Sequence, residues 1–381
     1  MIRTSDDDWL VPESGVMANT REALDADRPA VVATIAAVEG NAYRRPGAKM
    51  LIDDESGVGS ITAGCLEDEV VDIAQNVLET GQPRLERFDL TDDAEWGLGL
   101  GCNGIIDLLL EPLDDRFRET LDRYADRRDG LALTVLDDAG DVAMGDRGYA
   151  PEGDLSAVES LPGWLVDGVR APARDLYDRE KSGVVTAERP DDDVDVFVDA
   201  VTAPPEMYVI GSGNDARPVS DLAAKANFRV TVVAVRGGRA ETDAFPRAEQ
   251  VVSASAPRIG DEFDLDEDSY AVLMTHNFVD DRLALESLLD TPVEYIGLMG
   301  PQERFDEMIK AFEAEGCELT DAELGRVYTP IGLDIGGGAP YQIAMGIVTE
   351  ALAVHNDRTP QHLRQRKSPI HERATVSIED G

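Results

Sequence analysis

After Met207 the chain repeats one pattern, a short apolar run followed by a turn and an amphipathic helix. MYVIGSG, RVTVVAVR, AEQVVSA, YAVLMTHN and VEYIGLMG read as strands, with ARPVSDLAAKAN, DDRLALESLLD and ERFDEMIKAFEAEG as helices among them. Strands that alternate with helices of roughly ten residues close as a parallel, doubly wound sheet, because each crossover carries the chain back to the edge it left. A last helix, PYQIAMGIVTEALAVHN, is predicted to bury Ile343, Ile347, Val348, Ala351 and Val354 on one face, and Pro340 suits its first turn.

The front half has a different rhythm. PAVVATIAAV, AKMLID, GVGSIT and IIDLLLEP read as strands, and CLEDEVVDIAQNVLETG as a helix that Gly81 ends. DRFRETLDRYADRRDG reads as a second helix, and LALTVLDDAGDVAMG as a hairpin about Asp138, Ala139 and Gly140. From Tyr149 to about Pro205 the pattern weakens into Pro, Gly and acids. A strand, VDVFVDAV, then closes the domain, with TAPPE as linker. The expected fold class is α/β, an N-terminal mixed α/β domain over residues 1–203 and a parallel-sheet domain over 207–358, followed by a polar tail at 359–381.

Charge narrows the setting. The chain has 77 acids against 35 bases, a formal charge of -42, and only five of those bases are Lys. Such a surface repels itself unless salt screens it, and the Lys shortage points to salt rather than heat as the adaptation. Nucleic acid and anionic membranes are excluded as partners on the same ground. No apolar run is long enough to span a bilayer, and the acidic N-terminus is unlike a signal peptide, so a cytoplasmic location is expected. Three scattered cysteines, Cys65, Cys102 and Cys317, with no CxxC pair, favour reduced thiols over a disulfide scaffold or a zinc site.

Several turns invite a ligand. Gly211, Gly213 and Ala216 match the G-x-G-x-x-[GA] pattern between strand and helix, a turn that lets backbone approach a pyrophosphate; with Ser212 and Asn214 it forms a candidate binding loop. A plain tight turn is the alternative. The acid that would hold a ribose at the end of the next strand is missing. Ala234 and Val235 stand there instead, followed by Arg236, which either faces an anion or pairs with a surface acid. His276 in MTHN falls at a strand's carboxyl end, where open sheets bind ligands, and Asp334 precedes three glycines that form either a second anion nest or a bland connection.

In the front half, GSITAGCLEDEV and GLGLGCNGIIDLLLEP each deliver a cysteine from a small-residue turn. Gly64 flanks Cys65, and Gly101, Asn103 and Gly104 flank Cys102. Cys65 is expected to open a helix, whose positive end favours a thiolate. Buried cysteine acting as a small hydrophobe is the competing reading. YRRPGAKM gathers Arg44, Arg45 and Lys49 in an acidic chain, either as an anion site or as a solvated loop.

Taken together, RRPGAKML, GSITAGCLEDEV, LGLGCNGIIDLLLEPL, VIGSGNDA, VTVVAVR, MTHNFVDD, YIGLMGPQER and PIGLDIGGGAP resemble the XdhC/CoxI family over residues 28 to 357. The resemblance implies a cysteine-bearing front domain and a Rossmann-like rear domain. It also implies binding of molybdenum cofactor, a pterin with a dithiolene and a phosphate, and its delivery to a molybdenum hydroxylase client, with a cysteine desulfurase as a further partner. A homodimer is the expected assembly. The family's motif cysteine carries over to Cys102, with Cys65 as its companion. This chain departs from the family pattern at Asn214, where a His is usual, at Ala234, where an acid is common, and at Asn103 in a glycine pair.

On this reading the protein is a carrier without catalytic residues. Cys65 and Cys102 meet the metal or dithiolene end, Arg44, Arg45 or Lys49 the phosphate, and the rear-domain loops face them across a cleft. Two alternatives stay open: an NADP-linked oxidoreductase using the glycine turn and Arg236, and a thiol or persulfide protein using the two cysteines.

Overall fold

The computed structural model describes residues 10–53, 57–90, 104–190, 192–235 and 242–365. The chain divides into two compact units, one ending at Ala203 and the other beginning at Pro204.

The first unit is built on two antiparallel sheets. Strands β1 (Val31–Gly40), β2 (Lys49–Ile52), β3 (Gly57–Gly59), β4 (Arg84–Asp89) and β5 (Gly104–Pro112) form the first, in the order β3-β2-β1-β5-β4. Strands β6 (Gly130–Val135), β7 (Arg147–Pro151), β8 (Gly183–Ala187) and β9 (Val194–Val201) form the second, in the order β7-β6-β9-β8. Alternation along β1 assigns its two faces. Val31, Ala33 and Ile35 pack under helix α2 (Glu67–Thr80) with Val70, Ala74 and Val77. Val32 and Ala36 turn the other way, towards residues of the second sheet such as Ala132, Tyr149 and Phe197. Helices α1 (Glu13–Asp25) and α3 (Arg118–Ala125) add Met17 and Leu121 to that inner layer. Helix α4 (Gly163–Asp178) covers the outer face of the second sheet through Leu165, Val169, Ala173 and Leu176. Side chains such as Leu110, with no exposed surface, each contribute about 1.5–3 kcal/mol by leaving water.

Three expectations need correcting here. The hairpin after β6 returns at Arg147 rather than at Asp141, and Ala139 and Val142 make only an isolated bridge inside the turn. The stretch after Tyr149 is not irregular, since it contains α4, and VDVFVDAV is an inner strand paired on both sides, to β6 and β8. Cys65 precedes its helix rather than opening it, because the first helical residue is Glu67.

The second unit is a six-stranded parallel sheet, β10 (Glu206–Ile210), β11 (Arg229–Ala234), β12 (Gln250–Ser253), β13 (Ser269–Leu273), β14 (Tyr295–Leu298) and β15 (Val327–Tyr328), in the order β12-β11-β10-β13-β14-β15. All five residues of β10 are buried, as a central strand covered on both faces requires. Met207 and Val209 pack with helices α5 (Ala216–Lys225) and α10 (Pro340–His355), whereas Tyr208 and Ile210 face α7 (Phe278–Leu289) and α8 (Gln302–Ala314); α6 (Ile259–Glu262) and α9 (Asp321–Gly325) are short. The winding reverses between β10 and β13, and a ligand crevice opens at such a reversal. Helix α10 buries Ala344, Ile347, Val348 and Ala351, but Ile343 stays 41% exposed, so the predicted apolar face is rotated by one position at its start.

Candidate functional site

Topology gathers the front-half motifs at one edge. In an antiparallel sheet neighbouring strands run in opposite directions. The end of β1, the start of β2, the end of β3 and the start of β5 therefore point to the same end of the sheet, although Lys49 pairs with Thr34 and Gly104 with Gly40, further along β1. The basic loop joins β1 to β2, the Cys65 loop leaves β3, and Gly104 begins β5 paired with Gly40. A side chain at Gly104 would collide with the Asn41 carbonyl oxygen, 2.3 Å from the Cβ position, so only glycine allows that approach. Gly101, Cys102 and Asn103, and also Arg236 of the second unit, lie outside the described residues.

Thr62 organises the Cys65 loop. Its hydroxyl accepts from the N–H groups of Gly64 at 3.2 Å, Cys65 at 3.1 Å and Leu66 at 3.4 Å, and donates to Glu67 Oε2 at 2.6 Å. Glu67 also accepts from the Leu66 and Thr62 N–H groups. These side chains satisfy backbone donors of the loop that leads into α2, and the first turn of the helix carries the carboxylates of Glu67, Asp68 and Glu69, not a thiolate, at its positive end. The half-buried Cys65 packs on the edge of the core under α2 and remains a free thiol. Gly64 beside it is exposed, has φ +100°, and among the described residues has nothing within 4 Å of where a side chain would begin.

The three bases of the adjoining loop fare differently. Arg44 donates to Ser60 Oγ at 3.2 Å and pairs with Glu13 at 3.1 Å, which ties the basic loop to the strand end that leads to Cys65. Lys49 points inward, bonded to Asp199 at 2.8 Å and to the Gly47 carbonyl at 2.8 Å, with its side chain only 12% exposed. It is a structural cation rather than an open anion site. Burial pushes the Lys49 amine down, but Asp199 and Glu13 more than offset this and leave it raised. Arg147 pairs with Glu111 in the same interior at 2.7 Å and stacks on Phe117. Arg45 is half-buried, and its Nε is buried without a hydrogen-bond partner among the described residues.

In the second unit Gly211 makes the tight turn at φ +140°, where a Cβ would lie 2.4 Å from the Met274 carbonyl oxygen. His276, after β13, is in the left-handed region at φ +59° and reaches Asp215. Thr275 donates to Asp281 at 2.6 Å, and Arg304 pairs with the same carboxylate. Burial pushes Asp281 up, although Thr275 and Arg304 pull the other way. Asn277 caps α7 through the N–H groups of Val279 and Asp280. The glycines after Asp334 offer no free nest: Asp334 accepts from Gly336, and Gln342 Oε1 accepts from Gly338 and Ala339. The sequence alone does not single out Asp215, Thr62 or Glu67, because their partners are what give them meaning.

Among the described residues no group of three or more His, Cys, Asp or Glu could hold a metal ion, and no helix is long and apolar enough to cross a membrane. Comparison with known proteins matches two sequence models of one family, the XdhC Rossmann domain at residues 207–351 and the XdhC and CoxI family at residues 23–89. A Bacillus subtilis (strain 168) protein, named as a probable xanthine dehydrogenase subunit, is 28% identical over 346 residues, 88% of this chain and 97% of that protein. Escherichia coli (strain K12) YqeB, an uncharacterized protein, is 24% identical over 163 residues, 42% of this chain and 29% of its own length. A Bacillus halodurans crystal structure, described as a xanthine dehydrogenase, superimposes with a TM-score of 0.71 at 28% identity, covering 93% of this chain and 98% of that one. With both halves matched in order and the fold shared, the chain belongs to the XdhC/CoxI family.

Proposed function

We propose that the protein serves the maturation of a xanthine dehydrogenase-type molybdenum hydroxylase, by binding molybdenum cofactor and handing it to that client. The observation that carries the reading is the common end of the first sheet, towards which the Cys65 loop, the basic loop and the start of β5 are all directed, with Arg44 bonded to Ser60 at the root of the Cys65 loop. The residues fit the group. Among the described residues, the exposed side of Gly64 leaves room beside a half-buried thiol, and Arg45 has a buried Nε without a hydrogen-bond partner, suited to a phosphate oxygen. Cys65, and Cys102 two positions before Gly104 in sequence, would hold the metal or dithiolene end; Arg45, with Arg44 behind it, would hold the phosphate. When bound, the group supplies the redox chemistry of the client enzyme, and this chain's residues grip and orient it. A cysteine desulfurase acting on the held cofactor and a homodimeric assembly belong to the same proposal, as does a cytoplasmic setting rich in salt.

The test is purification from molybdenum-replete cells in high salt, with pterin measured by fluorescence after oxidation and molybdenum by mass spectrometry. The wild type should carry both, Cys102→Ser and Cys65→Ser should lose most of them, and Arg45→Ala should lower retention. A wild-type protein free of pterin that also fails to take up supplied cofactor refutes the proposal.

A further inference from the structure

The glycine turn of the second unit is filled by the chain's own acid. Gly213 has no side chain, and a Cβ placed there would lie 2.6 Å from Asp215 Oδ1. The carboxylate therefore folds back over the bare backbone that, in this turn, is left open for a pyrophosphate. Its other oxygen, Oδ2, accepts from His276 Nε2 at 2.6 Å. An ionised carboxylate can only accept, so Nε2 carries the proton. Asp215 stands at the N-cap position of α5 yet makes no side-chain bond to the helix, so His276 is what aims it.

The two residues come from opposite sides of the crevice, Asp215 after β10 and His276 after β13, the strands between which the sheet order reverses. His276 takes up its position at φ +59°, an uncommon conformation for a residue other than glycine. The bond thus spans the two sides of the crevice at its solvent-facing mouth and leaves a carboxylate where a phosphate would lie.

We infer that Asp215, aimed by His276, sets the charge of the ligand accepted at this crevice and excludes the diphosphate of nicotinamide dinucleotides from the turn. Entry of a diphosphate would bring two anions into contact and break the hydrogen bond to His276. Asp215 is thus a specificity-determining residue, and the assignment is separate from the cofactor site proposed in the first unit.

The experiment titrates the full chain, in molar KCl, with NADH, NADPH and ADP-ribose, following ligand fluorescence and heat of binding. Wild type should show no saturable binding below about millimolar ligand, and Asp215→Asn and Asp215→Gly should bind at least about tenfold more tightly. His276→Ala, which frees the carboxylate but keeps its charge, should gain less than Asp215→Gly. Circular dichroism and melting check that each variant is folded. Micromolar binding by wild type overturns the inference. So does a folded Asp215→Gly with no gain, or a gain in His276→Ala equal to that in Asp215→Gly.

Discussion

Lys49 on β2 and Asp199 on β9 meet at 2.8 Å and join the two sheets of the first unit through an ion pair that is 12% exposed on one side and 3% on the other. Asp199 also accepts from Ser182 at 2.8 Å, so both of its oxygens are engaged. A charge pair in such an interior adds little net stability, but removing one partner leaves the other desolvated and uncompensated.

Lys49→Met should therefore destabilise the first unit by about 3–5 kcal/mol, while Lys49→Met combined with Asp199→Asn should recover a large part of the loss. Urea unfolding at fixed high salt measures both. A single-variant loss below about 1 kcal/mol would show that the pair is solvated and does not join the sheets.

Tyr149 offers a stabilising substitution. Its hydroxyl is buried without a hydrogen-bond partner among the described residues, and burial pushes its pKa up to about 12. A buried hydroxyl left unpaired costs folding energy, so Tyr149→Phe should stabilise the protein by about 1 kcal/mol at neutral pH. The alkaline behaviour follows by linkage. The folded pKa lies above the ordinary 10.0, so ionisation of this group does not oppose folding below pH 10, and wild-type stability falls as pH rises from there through about 12. The variant should lack that share of the alkaline loss. Melting temperature against pH for the two proteins decides it, and a less stable variant would mean that the hydroxyl is satisfied in solution.

The parallel sheet is legible in the sequence because a period of strand and helix repeats through most of the second unit, whereas β15, only two residues long, and the order of the strands are not. Helix α4 is not, since Gly168 and Pro172 interrupt its pattern. Its packing explains one of them: a side chain at Gly168 would begin 3.1 Å from the Ala187 Cβ, so glycine lets the helix lie close on β8. The cysteine and basic motifs can be seen as motifs, but their meeting at one sheet edge depends on strand order, which neither motif encodes. Asp215 is hidden for a similar reason, because its partner His276 lies 61 positions away. Lys49 reads as a surface base in a basic loop, yet alternation along β2 turns it to the interior.

The Thr62 hydroxyl holds the Cys65 loop through three N–H donors and Glu67. Thr62→Val keeps the shape and removes those bonds, at a cost of about 1–3 kcal/mol. The Cys65 thiol should then react several-fold faster with a disulfide reagent, as judged by mass spectrometry of the labelled peptide, whereas Thr62→Ser should behave like wild type. Exposed Cys317 is the internal control and should keep its rate. Equal Cys65 rates in Thr62→Val and wild type would show that the loop keeps its form without the hydroxyl.

A formal charge of -42 makes the whole fold sensitive to screening. Surface pairs such as Arg87 with Glu39 and Asp107 lose strength in salt, but the acids outnumber the bases they could pair with, so relief of repulsion dominates. The melting temperature should therefore climb as KCl is raised from about 0.1 M to about 1 M, over which the Debye length shrinks from about 10 Å to about 3 Å. Lys49 and Asp199 are shielded from solvent, so the destabilisation by Lys49→Met should persist across the range. Thermal melts of both proteins in a KCl series test this. A wild-type melting temperature that falls with KCl would show that the surface pairs, not the excess of acids, control stability.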